Sequence, residues 1–316
     1  MKLDLPSLSL SQIPKQNAFT AIRIICAIIV VYEHLVVLLD LNIFSANIRN
    51  LAVETFFFLS GFWVTRSFFT SKNLLEFFKK RLRKIFPPYL IIIFACAILL
   101  VFLSTLDARS YFSDSGFWKY LAANITTLNF LHPDLPGVFD GHPVNGSLWT
   151  IKVELGFYIF LPLIIILCLG THDKVSSVRI LFVLMTIYFL SLAYVFAIPF
   201  FIEKYNLPFS LTYQLPACMR YFATGMFCFF FYDKIYSVLN YLVAPCFILL
   251  VLSVIFKNVN FVFYISSIFE PATLAIVVIW SALKARPLFI FSKIYDFSYY
   301  LYLFHYPIIM VVKELI

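Results

Sequence analysis

The chain is 316 residues long, 62% hydrophobic and 13% charged, with a formal net charge of +8 and a mean hydropathy of +0.93. A soluble globular protein is about a quarter charged and less than half apolar. No soluble fold of this length hides so much Phe, Leu, Ile and Val, so the chain reads as a polytopic membrane protein. The positive charge does not call for nucleic acid, because cytoplasmic loops facing anionic lipid account for it.

Segments apolar enough to cross roughly 30 Å of hydrocarbon as helices fall at 19–39, 51–69, 88–106, 148–169, 178–200, 215–232, 239–256, 261–283 and 297–314. They lack the alternating pattern of an outer-membrane barrel. The expected fold is therefore all-α: a polytopic transmembrane helical bundle of about nine to ten helices. It forms one domain, 1–316, with 1–17 as a cytoplasmic N-terminal segment. That segment has no signal-peptide pattern, so the first helix is expected to be a retained anchor. Cys26, Cys96, Cys168, Cys218, Cys228 and Cys246 lie in or beside apolar segments. They form no metal-like cluster with histidine and read as small packing residues.

The densest basic run, SKNLLEFFKKRLRK, carries Lys72, Lys79, Lys80, Arg81, Arg83 and Lys84. Read as a loop, it is cytoplasmic by the positive-inside rule, which puts the N-terminus inside and residues 40–50 outside. Lys174 and Arg179, Asp233 and Lys234, and Lys284, Arg286 and Lys293 then also fall inside; 200–214 and 257–260 fall outside. The stretch 117–131 is a possible tenth, either short or lying at the interface; if it spans, everything after it inverts or another segment breaks. It lies in a long Gly-, Pro- and Asp-rich connection, 107–147, of a length more often functional than idle.

Ionisable groups inside spans are costly unless paired or wet, and so point to function. In RIICAIIVVYEH, Arg23 and His34 stand eleven residues apart, about three turns or 16 Å along one face, with Glu33 beside that face. By position alone, Arg23 could equally be a snorkelling anchor and His34 a packed, hydrogen-bonded histidine. Ser60-Gly61 in ETFFFLSGF permits close helix packing. The basic run reads either as an inside anchor or as a cluster for a polyphosphate such as coenzyme A. In NGSLWTIKVELGFY, Ser147 is a candidate N-cap and Asn145-Gly146-Ser147 a three-letter glycosylation match. Lys152 and Glu154 follow Trp149 into an apolar helix, where the carboxylate wants His34 or an arginine as partner. Arg220 in ACMRYFATGMF and His305 in YYLYLFHYP complete the set, with Pro307 loosening the last helix.

In this order, Arg23-x10-His34, FFFLSGF, the basic run ending in Pro87, NGSLWTIKVE, the Arg220–Gly225 segment and YLYLFHYP resemble the integral-membrane acyltransferase family 3. The similarity runs from about residue 17 to 310. The resemblance implies a bacterial inner-membrane enzyme of about ten helices. It would use cytoplasmic acyl-CoA, usually acetyl-CoA as co-substrate with no permanently bound cofactor, to acylate hydroxyls of O-antigen, capsule, peptidoglycan or related glycans. Its partners would be acyl-CoA, a glycan or lipid-linked glycan and membrane lipids. Arg23 and His34 match the family's first-helix pair, Arg81 and Lys84 its two basic positions, and Trp149 and Glu154 its Gly-Ser-Leu-Trp…Glu motif. No esterase domain of the SGNH type accompanies the motifs, and nine convincing helices rather than ten would leave the C-terminus outside.

The mechanism expected on this basis has Arg81, Arg83 and Lys84, with Arg23, holding the phosphates of coenzyme A. The pantetheine arm runs along the first helix, which forms one wall of a tunnel. His34 takes the proton from a sugar hydroxyl, Glu154 or Glu33 orients its imidazole, and Trp149 stacks on the sugar. Ser147, Arg220 and His305 are supporting candidates. An acyl-histidine intermediate, a glycolipid flippase with the same charges as a relay and a non-enzymatic scaffold are the competing readings.

Overall fold

The computed structural model describes residues 13–14, 16–46, 48–170, 176–256 and 259–316. Most of the expected N-terminal segment, together with Lys174 and residues 257–258, lies outside them. Among the described residues there is no strand. The helices are α1 (Phe19–Leu38), α2 (Arg49–Phe69), α3 (Leu74–Leu99), α4 (Ala108–Ser113), α5 (Ser115–Ile125), α6 (Trp149–Leu169), α7 (Ser177–Tyr205), α8 (Leu215–Phe230), α9 (Tyr232–Ile255), α10 (Asn260–Leu283) and α11 (Ser298–Leu315). Six helical stretches are long and apolar enough to cross a membrane by length and composition. The chain is an all-α, multi-pass helical bundle.

Two expectations need correction. The basic run is not a loop, because α3 begins at Leu74 and carries all of it except Lys72. The local sequence explains this. The Asn73 side chain accepts from the Glu76 N–H at 2.9 Å, and the Glu76 carboxylate accepts from the Lys72 N–H at 2.7 Å. This is a reciprocal cap of the capping-box type. An ion pair between Lys80 and Glu76 at 2.9 Å, one turn apart, adds to it. Pro87 and Pro88 lie inside the same helix.

The second concerns 117–131, where the structure selects the short alternative over a span. Its helix, α5, has 11 residues, about 16 Å of rise and half the hydrocarbon thickness. It packs beside α3, where Tyr89 Oη donates to the Asn124 carbonyl at 2.7 Å and Tyr111 Oη to the Ala97 carbonyl at 2.9 Å. The long connection is therefore an ordered cover over one side of α3.

α1 and α11 run parallel: Arg23 meets Asp296 near their starts and His34 meets His305 further along. Parallel first and last helices agree with an odd number of crossings between them. Both point away from what we call the basic end, the end where α3 begins.

α2 and α8 cross in intimate contact, and two glycines allow it. A Cβ on Gly61 would stand 2.1 Å from the Phe222 carbonyl oxygen, and one on Gly225 would stand 2.2 Å from that of Phe58. Backbone meets backbone at this crossing, the geometry that small residues permit in membranes. Gly225→Ala is expected to force the helices apart, at a cost of about 1–3 kcal/mol. The thermal unfolding midpoint of the detergent-purified protein should fall accordingly.

Candidate active site

Among the described residues, two neighbouring cavities are lined by the ionisable groups of the bundle. The one toward the basic end has a volume of about 80 Å³, and its walls include Arg23, Arg81, Lys84, Ser60, Glu154, Tyr158 and Tyr299. The one toward the far end is about 790 Å³, and its walls include His34, Arg49, Glu54, Trp149, Tyr213, Arg220 and Tyr306. Three residues line both, Val53, Phe57 and Tyr302, so the cavities are separated by one layer of side chains.

At the basic end, Arg23 Nε lies 3.3 Å from Asp296 Oδ2. Asp296 also caps α11, accepting from the Ser298 hydroxyl at 2.5 Å and its backbone N–H at 3.2 Å. One carboxylate therefore starts the last helix and restrains the arginine of the first. Arg81 and Lys84 stand one turn apart on α3 and both reach this cavity; Arg83, on another face, is exposed and does not. Arg81 Nε is buried with no hydrogen-bond partner among the described residues. The Lys84 ammonium lies in the electrostatic field of Arg23, Glu154, Asp296 and Arg81.

Glu154 also belongs to this cavity rather than to His34. Its carboxylate accepts from Tyr158 Oη at 2.5 Å and from Ser60 Oγ at 3.4 Å. Lys152, two residues earlier, turns away and stacks its ammonium over the Phe130 ring at 4.3 Å.

His34 meets neither of the carboxylates expected to orient it. Glu33 is buried and accepts from the Ser45 hydroxyl and, at 3.4 Å, from the Ile48 N–H. It ties the α1–α2 connection to α1. The partner of His34 is His305, with Nδ1 of His34 2.8 Å from Nε2 of His305. The rings stack with centroids 4.9 Å apart.

Nδ1 of His305 faces the carbonyls of Tyr302 at 2.6 Å and Leu301 at 3.2 Å. Carbonyls only accept, so this Nδ1 carries a proton, and in a neutral ring its Nε2 must then accept. The proton between the two rings belongs to His34 Nδ1, which leaves His34 Nε2 with a free lone pair.

The NGSLW stretch holds α11 in place. Pro307 has no N–H to give to the Leu303 carbonyl one turn earlier, and Asn145 Nδ2 donates to that carbonyl instead, at 2.9 Å. Asn145 is buried and thus engaged, which removes it as a glycosylation acceptor. Ser147 does not cap α6, whose start has no side-chain cap. Its hydroxyl donates to Asn145 Oδ1 at 2.6 Å, and Thr150 Oγ1 bonds Tyr302 Oη at 3.1 Å. The Trp149 ring lies 4.8 Å from that of Tyr213 on the wall of the far cavity. Arg220 lies on that wall too, with Nη2 3.1 Å from Tyr221 Oη.

Sequence reasoning named Arg23, His34, Arg81, Lys84, Trp149, Glu154 and His305; the structure divides the first six between two cavities and sets His305 behind His34. It missed Asp296, Asn145 and Arg49. Only Asn145 had a usable signal, its spacing before the helix.

The model of the acyltransferase domain of family 3 matches residues 16–316. The chain belongs to that family. Over 168 residues it is 29% identical to nodulation protein 10 of Rhizobium leguminosarum bv. viciae, covering 48% of this chain and 44% of that protein. It is 30% identical to the O-acetyltransferase OatA of Staphylococcus aureus over 148 residues, 42% of this chain and 23% of OatA. With the O-acetyl transferase of Shigella phage Sf6 it shares 29% identity over 154 residues, 46% of this chain and 44% of the phage protein. The chain thus spans less than half the length of these relatives. No solved structure matches it.

Removal of the Asn145 amide should leave the Leu303 carbonyl unsatisfied in an apolar setting, at a cost of about 1–3 kcal/mol. Asn145→Ala is expected to lower the unfolding midpoint of the purified protein, with Asn145→Asp, which also lacks the donor, falling at least as far.

Proposed function

We propose that this protein is an O-acyltransferase that moves an acyl group, acetyl in the first instance, from acyl-CoA bound at the basic end to a hydroxyl of a cell-envelope glycan in the far cavity. The observation that carries the reading is the division of the polar side chains. Arg23, Arg81 and Lys84 line one cavity, and His34, Trp149 and Tyr213 line the other, with one layer of side chains between them. The acetyl-transferring names of the relatives favour acetyl as the group. By charge bias the basic end faces the cytoplasm of a bacterial inner membrane, where acyl-CoA is made.

Arg23, Arg81 and Lys84 supply the charge-assisted contacts that diphosphate and phosphate groups need. Arg83 stands outside this set, on the exposed face of α3. Glu154, held by Tyr158 and Ser60, adds a carboxylate to the field around Lys84. The pantetheine arm, extended along α1, covers the roughly 16 Å between Arg23 and His34 once Val53, Phe57 and Tyr302 part.

His34 Nε2 takes the proton of the acceptor hydroxyl as its oxygen attacks the thioester carbonyl. The C–S bond breaks, and the imidazolium returns the proton to the coenzyme A thiolate. The charge that His34 gains is shared through His305 to the Tyr302 and Leu301 carbonyls, so His305 positions the base and fixes its tautomer. The same lone pair could attack the thioester first, giving an acyl-histidine that the hydroxyl then resolves. Trp149 and Tyr213 offer the flat apolar faces on which a sugar ring stacks.

Membranes containing the protein, given radiolabelled acetyl-CoA and envelope glycan, are expected to transfer label to the glycan. His34→Ala should lower that rate by about 10²–10⁴-fold; undiminished transfer would remove His34 from the chemistry. A flippase would leave the acceptor unlabelled, and a scaffold would be indifferent to the substitution. Val53→Trp, which fills the layer between the cavities, should abolish transfer while coenzyme A binding at the basic end persists in an equilibrium assay.

A further inference from the structure

The far cavity holds a cation that the acyl-transfer chemistry does not use. Arg49, the first residue of α2, is half-buried and lines the cavity together with His34. Its guanidinium acts electrostatically on His34, Tyr302 and Tyr306. Among the described residues it has neither an ion pair nor a side-chain hydrogen bond. An unpaired guanidinium half-buried against a cavity is costly unless something else answers it.

The other charges nearby do not answer it. Glu54 and Glu270 act electrostatically on Arg220. Glu203 lines the same cavity but stands exposed on its rim. Arg220, 7% exposed, keeps its Nε and Nη1 buried and without a hydrogen-bond partner. The wall beside His34 therefore offers the Arg49 guanidinium, without an ion pair among the described residues, and two unused donors from Arg220.

We propose that Arg49, assisted by Arg220, makes the far cavity a receptor for an anionic acceptor: a sugar bearing a carboxylate or a phosphate, seated with its anion on Arg49 and a hydroxyl beside His34. A guanidinium presents paired donors that match either anion. The cavity, about 790 Å³, is in the range that encloses small ligands, and Trp149 and Tyr213 supply the stacking face. The inference rests on the acyltransferase reading in naming the ligand an acceptor.

The test measures binding alone. The full-length chain, purified in a neutral detergent, is titrated with glucose, glucuronate and glucose 1-phosphate in the absence of acetyl-CoA. Ionic strength is held constant with chloride, and tryptophan fluorescence is followed. At least one anionic sugar is expected to bind about tenfold or more tightly than glucose, the size of one charge-assisted contact. Which of the two prevails tells carboxylate from phosphate. Arg49→Gln should bring the preferred anion to within about twofold of glucose, and Arg49→Lys, which keeps the charge, should retain most of the preference.

Equal affinity of the wild type for all three sugars, or no binding of any, overturns the proposal. So does a preference that survives in Arg49→Gln. Failure here would leave label transfer from acetyl-CoA untouched, and failure of that transfer would not alter these affinities.

Discussion

Inside hydrocarbon there is no water to satisfy a stray donor or acceptor, so each polar group on this chain has to be met by another part of it. The first and last long helices meet each other twice. Arg23 pairs with Asp296 near the basic end, and His34 pairs with His305 about three turns further on. Two tethers at matched spacing hold α1 and α11 parallel and in register. Pro307 then adds an open carbonyl to α11, and Asn145 fills it from the connection before α6. Through these three contacts, segments far apart in sequence enclose one polar axis.

The same constraint sets the chemistry of the histidines. His305 can only donate through Nδ1, because carbonyls face it, and this leaves one arrangement of protons in the neutral pair. The basic lone pair of His34 follows from backbone geometry in α11 rather than from any acid beside it. Glu33 and Glu154 are each engaged elsewhere, one bracing a loop and the other among the cations of the basic end.

Close packing keeps the two cavities apart. The glycine-mediated crossing of α2 and α8 holds Val53 and Phe57 on α2 against Tyr302 of α11, in the layer that both cavities share. A reaction between a water-borne donor on one side and an acceptor on the other needs such a layer. In the reaction proposed for this chain, this is the layer that the donor's acyl arm would cross.

Much of this was legible in the sequence. Length and hydropathy determined an all-α membrane bundle, because runs of apolar residues that long have no other way to satisfy their backbone. The ordered motifs singled out Arg23, His34, Trp149, Glu154 and His305, because ionisable and aromatic side chains are conspicuous in such a background. Helical spacing even put Arg23 and His34 on one face. The reciprocal cap of Asn73 and Glu76 was there to be read as well, and it turns the basic run from a loop into a helix.

Tertiary structure alone decided which of these residues meet. Glu154 lies with the cations and not with His34, Asp296 holds Arg23, and Arg49 faces the far cavity with no ion pair among the described residues. Partnership in a bundle depends on how helices rotate and cross, and a difference of one residue in facing turns a side chain by about 100°. Local sequence carries the period of each helix. Its azimuth against the others is set only when glycines, prolines and buried polar groups have all found their places at once.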